Sequence, residues 1–118
     1  LEARDVVVLT GGTGNPFFTT DTAACLRAIE LGVDAVLKAT AVDGIYSADP
    51  KKNKDAYRYE TIGISKVLEK ELGVIDMTAA VLCKENSMPL QVVDSRIPGW
   101  MLKVIEGEPI GTIVHPDE

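Results

Sequence analysis

Residues Asp5 to Leu31 read DVVVLTGGTGNPFFTTDTAACLRAIEL, and the way this stretch divides sets the expected fold. Val6 to Leu9 form a short apolar run of the kind that makes a buried strand. Gly11, Gly12 and Gly14 follow, where the backbone can turn sharply and come close to a ligand. Thr19, Thr20 and Asp21 read as a helix start. The helix body, Thr22 to Leu31, is rich in alanine and can lie close against a sheet. Strand, glycine turn and helix N-terminus in that order bind phosphate, because free N–H groups point outward and the helix dipole favours an anion.

Working outward, Gly32 is placed to cap that helix, and Asp34 to Ala39 (DAVLKA) reads as the next strand. Strand, helix and strand in about 35 residues make a βαβ unit with a parallel, right-handed crossover. Thr40 to Gly44 form a turn, and Ile45 to Asp55 a polar loop broken by Pro50. Tyr57 to Ile62 alternates as a short strand does. Ser65 is expected to cap a helix over Lys66 to Leu72, closed by Gly73, and Asp76 to cap another over Met77 to Asn86. Leu90 to Val93 is a buried strand, Gly99 to Ile105 a short helix, and Gly111 to Val114 a closing strand. No repeat or linker interrupts the pattern. The reading is one α/β domain over residues 1–118 with a mostly parallel sheet.

A chain of 118 residues with net charge -6 suits one domain that buries roughly two-thirds of its unfolded surface. Apolar content of 46% and charged content of 25% are globular rather than disordered. No apolar run approaches the ~20 residues of a membrane span, and the acidic balance argues against a nucleic-acid groove. Cys25 and Cys83 are far apart in sequence and lie in helical stretches. They read as small buried apolar residues rather than a disulfide or metal site, which fits a reducing compartment. His115 is the only histidine and sits near the tail, so histidine acid–base chemistry and histidine metal clusters are excluded. Leu1 to Arg4 reads as the interior of a longer chain.

Ligands in open α/β sheets sit at the carboxyl ends of strands. Two loops leave such ends, Thr10 to Thr20 and Thr40 to Lys54. The first offers glycine N–H groups, Asn15, and the hydroxyls of Thr13, Thr19 and Thr20, all donors for a phosphate or the polar edge of a planar ligand. Phe17 and Phe18 either flank a base or sugar, or staple the helix entry to the core. Asp21 is either a first-turn carboxylate favoured by the helix dipole or a group that orients cations beside a phosphate. Asp76 carries the same two readings, with N-capping the default. In the second loop Tyr46 can stack on a base and Asp49 can accept from a ribose hydroxyl or support a metal, the alternative being an ordinary surface turn. Lys51, Lys52 and Lys54 read as a solvated face.

GGTGNPFFTTDTAA followed by VLKATAVDGIYSADPKKN resembles the bacterial-type UMP kinases of the amino acid kinase family. The resemblance runs from about Val6 to Val114 and includes IDMTA, MPLQV and GTIV. It implies the amino acid kinase fold, a three-layer αβα sandwich, of which this chain would be the C-terminal, nucleotide-binding half. It implies phosphoryl transfer from ATP to UMP with Mg²⁺, and no metal ligand set of the chain's own. By the same resemblance Thr13, Gly14, Asn15, Pro16, Phe17, Phe18, Thr19 and Thr20 would surround UMP. Thr40, Tyr46 and Asp49 would contact ATP. Asp21 would sit beside the transferring phosphate and organise the site's lysines, and Asp76 matches a second aspartate near the reaction centre. Ala41 stands where family members often carry a polar residue. A cytoplasmic homo-oligomer, commonly a hexamer, with GTP and UTP as effectors is also implied, with no membrane or nucleic-acid partner.

The family's lysine-bearing and arginine-bearing glycine loops belong to an N-terminal half that is not in these 118 residues. Phosphoryl transfer depends on positioning and on stabilising charge on phosphate oxygens. The two loops supply mainly neutral donors and carboxylates. A charge-assisted hydrogen bond contributes about 1.5–3 kcal/mol, whereas catalysis asks for about 8 kcal/mol or more. The chain is therefore expected to be inactive by itself. Two other readings keep the fold: a relative with a carboxylate or carbamate acceptor, which the PFFTTD segment disfavours, and a non-catalytic nucleotide-binding or storage protein.

Overall fold

The computed structural model describes residues 3–117 and comprises α1 (Thr20–Leu31), β1 (Val36–Thr40), β2 (Thr61–Gly63), α2 (Ile64–Glu69), α3 (Met77–Glu85), β3 (Leu90–Asp94), α4 (Trp100–Ile105) and β4 (Thr112–His115). The sheet order is β1-β3-β4-β2. β1 runs parallel to β3, with Val36 opposite Leu90 and Thr40 opposite Asp94, and β2 runs parallel to β4. Among the described strands only the central β3/β4 pair is antiparallel. The mostly parallel α/β reading holds.

Strand parity decides which face is covered. Val36, Leu90, Val92, Thr112 and Val114 are buried, while on the alternate parity Leu37 and Ile113 stay 40% and 38% exposed, although Val93 on that parity is fully buried. Helices α1, α3 and α2 pack side by side in that order, with α1 also against β1 and α2 against β2. Small residues let α1 and α3 approach closely: Ala23, Ala28, Ala79 and Ala80 are all buried. Cys25 and Cys83, distant in sequence, meet at this interface with sulfurs 3.3 Å apart. Both are free and buried, as expected of small apolar residues. The hydrogen bond between them, with burial added, pushes the Cys25 thiol up, and the same bond lowers that of Cys83.

Helix α1 begins and ends as its sequence predicts. Thr19 is the N-cap, its hydroxyl accepting from the Thr22 N–H, and Gly32 closes the helix in the left-handed conformation. Asp76 caps α3 by accepting from the Ala79 N–H at 2.7 Å. The helix expected over Lys66 to Leu72 is shifted at both ends: α2 starts from Gly63 and closes at Lys70 rather than Gly73, and Ser65 instead donates to the carboxylate of Asp117. Of the expected strand Tyr57 to Ile62, only the end pairs as β2, with one isolated bridge between Tyr46 and Arg58 upstream.

The expected strand Val6 to Leu9 is not formed. These residues are irregular and exposed, Val6 by 94% and Val8 by 80%. An apolar run becomes a strand only when a neighbouring backbone takes its N–H and C=O groups. Among the described residues no strand pairs with it. Val7, Val8 and Leu9 instead line a cleft of about 950 Å³ beside α1 and β1. The first βαβ unit is thus represented only by its helix and second strand.

Candidate functional site

The loop after β1 is held from below by the sheet. Ile45, fully buried, donates its N–H to the Thr112 hydroxyl at 2.9 Å, and that hydroxyl donates onward to the Tyr59 carbonyl. The Tyr59 N–H returns to the Ile45 carbonyl at 2.8 Å, and the Ser47 N–H reaches the Tyr57 carbonyl at 2.9 Å. On this base the Tyr46 hydroxyl donates to the carboxylate of Asp43 at 3.0 Å, a bond that pushes the phenol above its ordinary value. Asp43 also faces Arg58 at 3.7 Å. Asp49 accepts from the Lys51 N–H at 2.9 Å, a tight turn that Pro50 stiffens.

Tyr46, Asp49 and Lys51 thereby line a cleft of about 660 Å³ whose other wall includes Leu72, Val74 and Arg96. Arg96 forms a two-pronged pair with Asp94 at 2.9 Å, which holds the Asp94 carboxyl below its usual range. Thr40 ends β1 next to this cleft, and Ala41 rather than Thr40 lines it. The Thr40 carbonyl accepts from the Ser95 N–H at 2.9 Å.

A second cleft, of about 610 Å³, lies on the other side of residues 71–74, which border both. Thr19, Asp21, Lys38 and Asp76 line it. Asp76 is heavily engaged: one carboxylate oxygen accepts from the Ala79 N–H and, at 3.2 Å, from the Thr22 hydroxyl, and the other accepts from the Thr19 hydroxyl. It joins the N-termini of α1 and α3. Asp21, in the first turn of α1, pairs with Lys38 Nζ at 2.7 Å. Lys38 also donates to the Val74 carbonyl in the shared wall.

Lys38 is the residue that loop-by-loop reading of the sequence misses. The readable signal was a lone lysine in the apolar strand VLKAT, at the parity of buried Val36. Its pairing with a carboxylate 17 positions upstream depends on α1 folding back over β1.

The glycine loop is built differently. Thr13 and Asn15 bond only to each other: the Asn15 N–H donates to the Thr13 hydroxyl at 3.0 Å, which donates back to the Asn15 carbonyl at 3.2 Å. Gly14, Asn15 and Pro16 are exposed, and Phe17 is wholly so, with a positive φ of 71°. Phe18 is 52% exposed, so neither phenylalanine staples α1 to the core. Of the predicted UMP-loop residues, only Thr19 reaches the second cleft, and Thr20 lines the cleft beside Val7 to Leu9. Among the described residues no group of three or more His, Cys, Asp or Glu side chains could hold a metal ion, and no helix is long and apolar enough to cross a membrane.

Comparison with known proteins gives these observations a context. The model of the amino acid kinase family matches residues 1–94. The uridylate kinase of Legionella pneumophila (strain Paris) is 60% identical over 114 residues, covering 97% of this chain and 46% of the relative. That of Paramagnetospirillum magneticum is 53% identical over 117 residues, covering 99% and 49%. Among solved structures, the UMP kinase from Bacillus anthracis superposes with a TM-score of 0.86 at 37% identity, over 91% of this chain and 44% of that one. The UMP kinase from Ureaplasma parvum gives 0.80 at 40% identity, over 88% and 45%. The chain spans about half the length of the curated relatives it matches.

Proposed function

This chain belongs to the amino acid kinase family, and from that premise we propose that it is the C-terminal, nucleotide-binding half of a uridylate kinase. The observation that carries this reading is the adjacency of the two clefts across residues 71–74. One presents an aromatic ring, a carboxylate and exposed cations, a set suited to a nucleoside triphosphate. The other presents the N-terminus of α1 with the Thr19 hydroxyl, the Asp21–Lys38 pair and the carboxylates of Glu71 and Asp76, and the helix end and the ammonium are the groups a phosphate would meet. A donor in the first and an acceptor in the second would meet at their common wall.

In the proposed reaction an ionised phosphate oxygen of UMP attacks the γ-phosphorus of ATP, and the bond to the β,γ-bridging oxygen breaks, giving UDP and ADP. The attacking oxygen needs no strong base, which agrees with a site free of histidine. Tyr46 and Asp49 hold the adenosine side of ATP, with Thr40 behind them. Thr13 to Thr20 would surround UMP, with Thr19 already at the cleft. Asp21 orients the ammonium beside it, and Asp76 fixes the relative position of the α1 and α3 N-termini. Mg²⁺ would enter with ATP and would neutralise phosphate charge, needing only one or two carboxylates because phosphates and water would fill its other positions. Asp21, on the acceptor cleft, is a carboxylate that would fit that demand, while no resident metal cluster exists among the described residues. The resemblance further suggests a cytoplasmic homo-oligomer, a hexamer, with GTP and UTP as effectors.

Two variants of the complete protein that carries this chain test the reading. Tyr46→Ala should weaken ATP binding more than UMP binding in calorimetric titrations. Asp21→Asn should lower kcat far more than UMP affinity. The reverse order for Tyr46, or equal losses for Asp21, would show that the clefts have been assigned wrongly.

A further inference from the structure

Lys38 occupies an unusual place for a lysine. Its strand parity directs it to the helix-covered face, beside buried Val36, and its side chain is only 24% exposed. A lysine on such a face ordinarily carries its head out to water along an apolar stem. Here the head turns to Asp21 at 2.7 Å and to the Val74 carbonyl. An ammonium has three donors and no acceptor. Two are used, and among the described residues nothing accepts the third. The Lys38 side chain borders the second cleft, where it is the single cation among the described lining residues and faces Asp21, Glu71 and Asp76.

Two further features make this cation a poor choice for structure alone. It lies beside the N-terminus of a helix of 12 residues, where the dipole disfavours positive charge. An ion pair in that position gains from a second anion, and a phosphate entering the cleft would be one. The Val74 carbonyl also ties the ammonium to the wall shared with the other cleft. The ammonium is thereby held at the second cleft, against the segment that borders both clefts.

We propose that Lys38 is a catalytic residue: oriented by Asp21 and the Val74 carbonyl, it donates its free N–H to a non-bridging oxygen of the phosphoryl group in transfer. The inference rests on the uridylate kinase reading above and adds to it the chain's own source of positive charge. Fixed donors aimed at developing phosphate charge act in the transition state more than in the ground state. Loss of the charge should therefore lower kcat and leave substrate affinity nearly unchanged.

The test uses the complete protein. Wild-type conversion of ATP and UMP to ADP and UDP is measured first; its absence would overturn the functional reading, and the Lys38 role with it. With turnover established, Lys38→Gln and Lys38→Ala are compared by kcat, KM for each nucleotide, and thermal unfolding. Glutamine can still donate to Asp21 and Val74 but carries no charge. The expected result is a kcat about 10- to 100-fold lower in Lys38→Gln, with KM within about threefold and melting close to wild type. Turnover of Lys38→Ala should rise in the presence of added ethylamine, which returns an ammonium to the vacated space. Wild-type kcat in a folded Lys38→Gln, or failure of both variants to fold, would assign Lys38 to structure and overturn the proposal.

Discussion

The two loops that the sequence marks for ligand binding, residues 11–18 and 43–49, are built in opposite ways. Both contain glycine, polar side chains and aromatic rings. The second is pinned to the body through Ile45, Thr112 and Tyr59, and its neighbour Ser47 is bonded to Tyr57. The first holds itself together only through Thr13 and Asn15. Composition does not separate them; what lies beneath does. β4 presents the Thr112 hydroxyl to the backbone of the second loop, whereas the run Val6 to Leu9 that should carry the first pairs with no strand among the described residues. A ligand loop is as ordered as the strand end that supports it.

The contrast can be broken most forcefully at Thr112. Thr112→Val keeps the shape but leaves the buried Ile45 N–H and Tyr59 carbonyl without partners, at about 1–3 kcal/mol each. Urea unfolding should show a loss of about 2–4 kcal/mol, and a loss under about 0.5 kcal/mol would mean that the second loop is not pinned there. A smaller effect separates the glycines. A Cβ on Gly44 would lie 2.5 Å from the Thr112 hydroxyl and 2.8 Å from Arg58 Cδ, while one on Gly12 meets nothing within 4 Å. Gly44→Ala should therefore cost about 1–3 kcal/mol through overpacking. Gly12→Ala, despite a φ of 62°, should stay below about 1 kcal/mol because a loop without long-range bonds can adjust. Equal costs would erase the distinction.

The mildest test is acid titration. Arg96 depresses the Asp94 carboxyl below its value of 3.8. A carboxyl whose folded value is lower than its unfolded one adds stability above the unfolded value, and that stability is lost as pH falls through the folded one. Asp94→Asn should flatten the decline of stability below about pH 4. The segment 11–18 has no ionisable side chain and contributes nothing to that slope; an unchanged acid profile in Asp94→Asn would remove the pair from the account.

Local signals were readable wherever one residue and its near neighbours suffice. Thr19, Gly32 and Asp76 all act as the caps their positions predict. Ser65 failed as a cap because Asp117, 52 positions away, offered its hydroxyl a better acceptor. The candidate site was legible to the same degree. Tyr46, Asp49, Thr19, Asp21 and Asp76 do line clefts, while residues 14–18 stand in solvent. Lys38 escaped notice because a lysine inside an apolar strand looks like an edge residue until its carboxylate partner is brought over it.

From its sequence alone this protein's caps at Thr19, Gly32 and Asp76, its α/β class and its family motifs were determined, since each rests on periodicity, capping or a contiguous pattern that needs no distant partner. Tertiary structure alone decided that Val6 to Leu9 stays outside the sheet, that Cys25 touches Cys83, and that Lys38 joins Asp21 at the wall between two clefts. Those outcomes depend on which backbone or charge arrives from elsewhere in the chain. A strand needs a neighbour to satisfy its hydrogen bonds, and a half-buried ammonium gains from an anion beside it.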